Sequence, residues 1–543
     1  MGNSHQTSSG LGRAKHRLCS TCSELELERM LSDETNEQPI GSLSEYNDPD
    51  CPFCGLISEA VGRAWETGGD STRPSCQLFT QSRSPLSVKE KGRTNHPQPR
   101  LLLAIDKKPP KFDHHRAPLR QIDKVKDRFI IAEIETFPSN SQMNYLPRLE
   151  VGSYINIPLL KNWLEECQNH EHSKKAIERG GTDLFQPQYP FRLIDVDEEC
   201  LVRKESAVAY VALSYVWGRI PTLLFPGDDD QVVPILLTLK RNVEELSAPK
   251  SLSESRPASR TMGRIPRTVR DAMEFTRQMG MKYLWVDTLC IVQDDLGDKA
   301  RLIGRMDDVY DCATATIIAA SGSDADAGLN GVSPRTGHPI EPTKIVDGSD
   351  EATFDLSPCL LSLCEEVRSA TWNTRGWTFQ EQSLSQRCLY FTAEEVFFNC
   401  SEAQRREGYD YAAKRPKNVD VEVRTGPPFW TKNLRRDLDP TPYHYLGDVN
   451  GGLDIEDYQT AVQEYSRKNL TYANDMLNAF EGIFNRFKRS GNASDLRIRQ
   501  TQGIPPHLLY QALLWFPSDG SKKRVCEPAQ SGEPADQFST WSW

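Results

Sequence analysis

The chain predicts an α/β fold: a parallel sheet core with helices on both faces, flanked by an irregular Cys-rich leader and an α+β carboxy-terminal region. Two observations carry this. Between residues 206 and 400, short apolar runs rich in β-branched residues alternate with amphipathic helical patterns. The runs are apolar throughout and do not alternate with polar residues, as expected of strands buried on both faces. A third observation concerns their ends. YVALSYVWG at 210–218, YLWVDTLCIVQDD at 283–295 and TRGWTFQEQSLSQRCLYF at 374–391 set Trp or Tyr beside acids, a basic residue or Gly at the edge of an apolar run. Buried acids are costly without partners, so such clusters point to a shared site or interface.

In chain order, 1–15 reads as disordered. Residues 16–66 hold two Cys-x-x-Cys pairs, and 67–128, rich in Pro, Ser, Lys and Arg, reads as a linker or an elaborated loop. Residues 129–205 form a flanking segment. RFIIAEIETF from 128 and FRLIDV at 191–196 are strands. LLKNWLEECQNH at 159–170 is a helix with Leu160, Trp163, Leu164 and Cys167 on one face.

The central domain spans 206–400. VAYVALSY at 208–215 is its first strand. Pro266 opens a helix whose Val269, Ala272, Met273, Thr276 and Met279 share a face, and Gly280 closes it. Tyr283 to Val292 reads as one continuous strand with Asp287 inside it. A helix follows with Leu302, Met306, Val309 and Tyr310 on one side, then a third strand, ATATIIAAS at 313–321. Residues 321–370 read as a polar insertion, Trp377 to Leu384 as a short helix, and CLYFT with EVFFN as a hairpin. Residues 401–455 are a charged, irregular insertion. From 456 to 543 helical patterns return, with HLLYQALLWF at 507–516 a helix or strand.

Length and charge narrow the function. At 543 residues the chain has room for several domains, and its 38% hydrophobic content and mean hydropathy of −0.57 imply sizeable loops. A net charge of −11 argues against a nucleic-acid binder; the local basic stretch from Lys89 to Lys126 reads as a solvated linker. No run approaches the ~20 apolar residues of a membrane helix, and the start has no signal-peptide core. Gly2 lacks the Ser or Thr at position 6 that myristoylation wants, since Gln6 stands there. These features predict an intracellular, cytoplasmic protein whose fourteen cysteines are thiols unless they hold metal.

In an open parallel sheet, ligands bind outside the carboxyl ends of the strands. The first strand would deliver Ser214, Tyr215, Trp217 and Gly218 to that rim, and the second Gln293, Asp294 and Asp295. On a helix, Trp377 and Glu381 share a face, and a carboxylate against an indole is partly desolvated and harder to ionise. Such a carboxylate suits stabilisation of an oxocarbenium-like transition state. Spacing alone equally supports Glu381 as an ion-pair partner of Arg375 or Arg387. Asp287 reads first as a buried Asp bonded to loop amides, Asp294 and Asp295 as turn and cap residues, and Trp217 as core before ligand stacker. Cys19, Cys22, Cys51 and Cys54 have the spacing of a structural zinc site, with His16 a substitute ligand. Cys167 with His170 and His172 is a weaker metal-like group.

The three blocks in this order strongly resemble the heterokaryon-incompatibility (HET) domain of filamentous fungi, over about 206–390. Flanking pieces resemble longer proteins that carry it: WLEEC near 163, FRLIDV at 191, YSRKNLTYANDMLNAFEGI at 465–483 and the final FSTWSW. The family's terminal segment usually continues beyond that Trp-Ser-Trp, so a truncated, inactive family member is one reading. The resemblance implies a role in fungal non-self recognition and programmed cell death, through self-association or protein partners. It also implies a flavodoxin-like sheet distantly similar to TIR domains. Some of these cleave NAD through a glutamate in a motif like WTFQE, which places the catalytic carboxylate at Glu381 and makes NAD a substrate.

Overall fold

A computed structural model describes residues 18–25, 38–65, 77–83, 100–105, 129–138, 149–170, 184–185, 191–219, 233–255, 263–335, 343–346, 353–358, 363–400, 403–409, 455–471 and 475–490. The expectations for 1–15, His16, His172, 507–516 and the final FSTWSW lie outside these residues. The chain divides into two compact units, one built from 1–152, 339–361 and 408–422, the other from the remainder. No helix among the described residues is long and apolar enough to cross a membrane.

The first unit holds a six-stranded antiparallel sheet in the order Gln38–Ser42, Gln77–Arg83, Arg100–Ile105, Phe129–Pro138, Thr353–Pro358, Thr343–Val346. The helix Pro52–Trp65 packs on two of its strands. Two strands therefore fall inside 67–128, where a linker was expected. The apolar run RLLLAI, enclosed by Pro- and Lys-rich sequence, pairs on both sides. Two more come from the polar insertion at 321–370, whose hairpin pairs Thr353–Pro358 with Phe129–Pro138. Composition hid both, because pairing is decided by distant strands.

The second unit is α/β with a mixed eight-stranded sheet. Its strands are β1 (Phe191–Asp195), β2 (Cys200–Lys204), β3 (Val211–Ser214), β4 (Tyr283–Trp285), β5 (Ala315–Ala319), β6 (Arg387–Phe391), β7 (Val396–Cys400) and β8 (Gln404–Arg406). They lie in the order β8-β7-β6-β5-β3-β4-β1-β2. β4, β3, β5 and β6 are mutually parallel, with Val211 opposite Leu284, Leu213 opposite Ile317 and Leu389 opposite Ile317. β1 and β2 flank one side antiparallel, β7 and β8 the other. Every residue of β3 and β5 is buried, as the uninterrupted apolar runs predict for strands covered on both faces.

The connecting helices follow from local chemistry. α1 (Ile157–Cys167) starts where the Asn156 side chain accepts from Leu159 N–H, and buries Leu160, Trp163, Leu164 and Cys167. α2 (Arg267–Gln278) follows Pro266 and ends before Gly280. α3 (Asp287–Cys290) is a single turn, so the expected strand from 283 to 292 stops at Trp285. A buried apolar run suits either a strand or a helical turn, and Asp287 decides here: its carboxylate accepts from Thr288 N–H at 2.7 Å, opening the turn. α4 (Leu296–Ile303) and α5 (Met306–Asp311) replace one expected helix, with the break at Gly304 and Arg305; Leu302, Met306, Val309 and Tyr310 are all buried. α6 (Leu363–Ser369) and α7 (Gly376–Ser383) precede β6, and α8 (Ile455–Ser466) and α9 (Asn478–Ser490) follow the sheet.

Candidate acid centre at the carboxyl edge of the parallel strands

The order of the parallel strands reverses between β3 and β5, the place where open α/β sheets leave a crevice. β3 ends at Ser214, which is buried. Ser214 Oγ donates to Glu381 Oε2 of α7, and receives the indole N–H of Trp372 at 2.8 Å. Tyr310 of α5 is a second hydroxyl partner of Glu381. On the other side of β3, the Trp217 indole donates to Asp287 Oδ2 at 3.1 Å. Tyr215 OH meets Thr288 Oγ1 at 3.1 Å, and Arg375 Nη1 donates to Tyr215 O at 2.9 Å. Residues from all three sequence blocks thus meet around the end of one strand.

Electrostatics single out the two carboxyl groups. Glu381 is 8% exposed, and burial pushes its carboxyl from 4.5 up to about 7; the nearby Asp287 charge adds to this, while Ser214, Arg375 and Tyr310 oppose it. Burial likewise raises Asp287 from 3.8 to about 6, against the Thr288 amide, Arg375 and Trp217. Asp287, Trp217 and Arg375 are half-buried, whereas Ser214, Trp372 and Tyr310 are buried. The arrangement is a pair of carboxyl groups that burial makes harder to ionise, a cation beside both, and two indoles holding the hydrogen-bond geometry. Paired titratable groups of this kind are suited to acid–base work.

The carboxy-terminal helices hold α7 in place. Phe379 stacks on Phe480 at 6.3 Å, and Tyr465 lies 5.8 Å from Phe379. Gln380 Oε1 accepts from Gly482 N–H at 3.2 Å. Asn469 exchanges backbone bonds with Thr374 and Gly376, and Lys468 Nζ donates to Asn373 O at 2.8 Å. A Cβ at Gly376 would stand 2.4 Å from Leu470 Cδ2, so a larger residue there would have to push the Leu470 side chain aside. Residues 465–470 and 480–482 therefore clamp the helix that carries Glu381.

Other expected site residues do different work. Gln293 ties its loop down through the carbonyls of Asp287 and Ile291. Asp294 accepts from Lys240 N–H at 2.8 Å, and Asp295 caps α4. Trp377 is half-buried and bonded to Asp475, so the indole beside the Glu381 network is that of Trp372. Gly218 is exposed and turns the chain with φ +73°; a Cβ there would stand 2.4 Å from Asp324 Cβ. Trp372, Tyr310 and Thr288 were not singled out as site residues. Tyr310 lies on the apolar face of its helix, which signals core, and Trp372 lies just ahead of the 374–391 block, outside the pattern that marks Trp377.

In the first unit, Cys19, Cys22, Cys51 and Cys54 bring their four sulfurs within 4.8 Å of one another. The Cys19–Cys54 and Cys22–Cys54 sulfurs are 3.7 and 3.6 Å apart. A tetrahedral zinc with Zn–S of about 2.3 Å requires edges of about 3.8 Å. The donor set fits zinc. Burial pushes Cys22 far up and Cys54 up to about 11, and a divalent cation would supply the charge that favours the thiolates.

Residues 210–381 match the family model described as Heterokaryon incompatibility protein (HET). The match begins at the residue before β3 and ends on Glu381. No curated protein and no solved structure matches the chain significantly.

Proposed function

We propose that this chain, whose residues 210–381 match the HET family model, is an incompatibility effector of fungal non-self recognition that ends in cell death. We further read its acid centre as a site for glycosidic cleavage of a nicotinamide nucleotide. The observation that carries the reading is the contact of Ser214 with Glu381, a carboxyl raised to about 7 at the switch point of the sheet. The parallel strands run second, first, third, fourth across the sheet, the flavodoxin-like order, which supports the TIR likeness. In this role Glu381, ionised, stabilises the cationic ribosyl transition state. The leaving nicotinamide takes the bonding pair as a neutral molecule, and water adds to the ribosyl carbon, forming its hydroxyl and releasing one proton to solvent. Asp287 and Arg375 set the charge around the site, and Trp217 offers an aromatic wall at the rim. The four-cysteine cluster holds a structural zinc.

A second reading is favoured by the 8% exposure of Glu381 and its two hydroxyl partners, which also describe a satisfied polar core. The HET domain then acts by self-association or partner contact, without chemistry. Inducible expression in a filamentous fungal host separates the two, with viability and cellular NAD followed together. The enzymatic reading expects NAD to fall before viability and Glu381→Gln to block both while the purified variant keeps its fold. Death with NAD intact, in wild type, assigns the chain to assembly.

A further inference from the structure

Apart from the acid centre and the four-cysteine cluster, a third group of chemically active side chains forms where α1 meets the outer antiparallel edge of the sheet. Cys167 ends α1, and His170 follows on the same turn, its N–H donating to Cys167 O at 3.0 Å. Cys400 ends β7. Cys400 Sγ lies 3.5 Å from His170 Nδ1, and the ligand atoms of all three residues lie within 4.8 Å of one another. The two cysteines are buried and the histidine half-buried.

A tetrahedral zinc with Zn–S of about 2.3 Å and Zn–N of about 2.0 Å places sulfur and nitrogen about 3.5 Å apart. The Cys400–His170 separation has that value. Both sulfurs also accept hydrogen bonds: Cys167 from Arg387 Nε at 3.2 Å, and Cys400 from the Ala403 N–H at 3.3 Å. Donors aimed at sulfur favour thiolates, and metal-bound thiolates draw on the same outer-shell support. The helix turn, the strand end and the guanidinium come from three separate stretches of chain, so local sequence does not account for their meeting.

We propose that Cys167, His170 and Cys400 form a second zinc site. Three protein ligands hold the ion, and water takes the fourth position. The site joins residues 230 apart in sequence. It fastens α1 to the β7–β8 edge beside the Trp163–Phe398 ring contact at 6.3 Å and the Glu166–Arg405 ion pair.

The test is elemental analysis of the full chain, purified under reducing conditions, in a Cys19→Ser/Cys22→Ser background that silences the leader cluster. About one zinc per chain is expected to remain, falling about tenfold or more in affinity on adding His170→Ala. His170→Cys, which restores a ligand, should recover the metal, and this separates ligation from mere loss of folding. Cobalt exchanged into the same background should show thiolate-to-metal charge transfer that Cys400→Ser weakens. No metal in the silenced background overturns the site. So does metal retained undiminished in His170→Ala, or a Cys167–Cys400 disulfide found by mass in the freshly reduced chain.

Discussion

Replacing Glu381 with Gln should remove a pH-dependent penalty that the wild-type chain carries. The carboxyl moves from 4.5 in the unfolded chain to about 7 in the folded one. At about 1.4 kcal/mol per pH unit, that interval corresponds to roughly 3 kcal/mol. The folded form binds more protons than the unfolded form between these values, so its stability falls as pH rises across the window. Below pH 4.5 both forms are protonated and the penalty is absent; above 7 it is complete. Gln mimics the protonated group and does not titrate. The difference in unfolding free energy between Glu381→Gln and wild type should therefore shift by roughly 3 kcal/mol in favour of the variant from pH 4.5 to pH 8. The assay is urea unfolding of both proteins at several pH values, followed by a signal from the second unit. Parallel pH curves would refute the reasoning, because they would mean that Glu381 ionises as an ordinary solvated or ion-paired acid.

Other outcomes follow from the same geometry. If the acid centre cleaves nicotinamide nucleotides through ionised Glu381, kcat/KM should rise with an apparent pKa near about 7; a flat profile from pH 6 to 8 would count against it. Trp372→Phe removes the N–H that meets Ser214 at 2.8 Å and should cost about 1–2 kcal/mol by urea unfolding, with little change to the sheet. Phe480→Ala empties the stack on Phe379 and should cost about 3–5 kcal/mol in thermal or urea unfolding, loosening α7. Gly218→Ala forces a side chain into φ +73° and against Asp324, so a loss of at least about 1 kcal/mol is expected in the same assay. Cys19→Ser/Cys22→Ser should lower the zinc content by about one ion per chain, measured on purified protein.

Much of the second unit was legible because burial on both faces demands continuous apolar residues. VALS, YLW and ATIIA read as strands for that reason; CLYFT reads instead as one arm of a hairpin with EVFFN, and Arg387–Phe391 both makes that hairpin and joins the other three as the fourth parallel strand. α1 and α2 showed the helical period of a half-buried helix. The first unit was far less legible. Its edges lie in polar sequence, and no local pattern says that 343–346 and 353–358 will pair beyond Phe129–Pro138. Asp287 was misplaced within a strand because an apolar run does not reveal where it stops being extended.

The three blocks, on sequence alone, determined which residue types gather at the rim and which family model the segment matches. Only the tertiary structure decided the partners. Ser214 meets Glu381 because strand order puts the end of β3 beside α7, and Trp372 rather than Trp377 reaches them because a short 3₁₀ turn precedes α7. Cys400 joins Cys167 and His170 across 230 residues. The reason is the same in each case. Periodicity reports the faces a segment must bury, whereas desolvation, charge coupling and metal geometry depend on neighbours from distant parts of the chain.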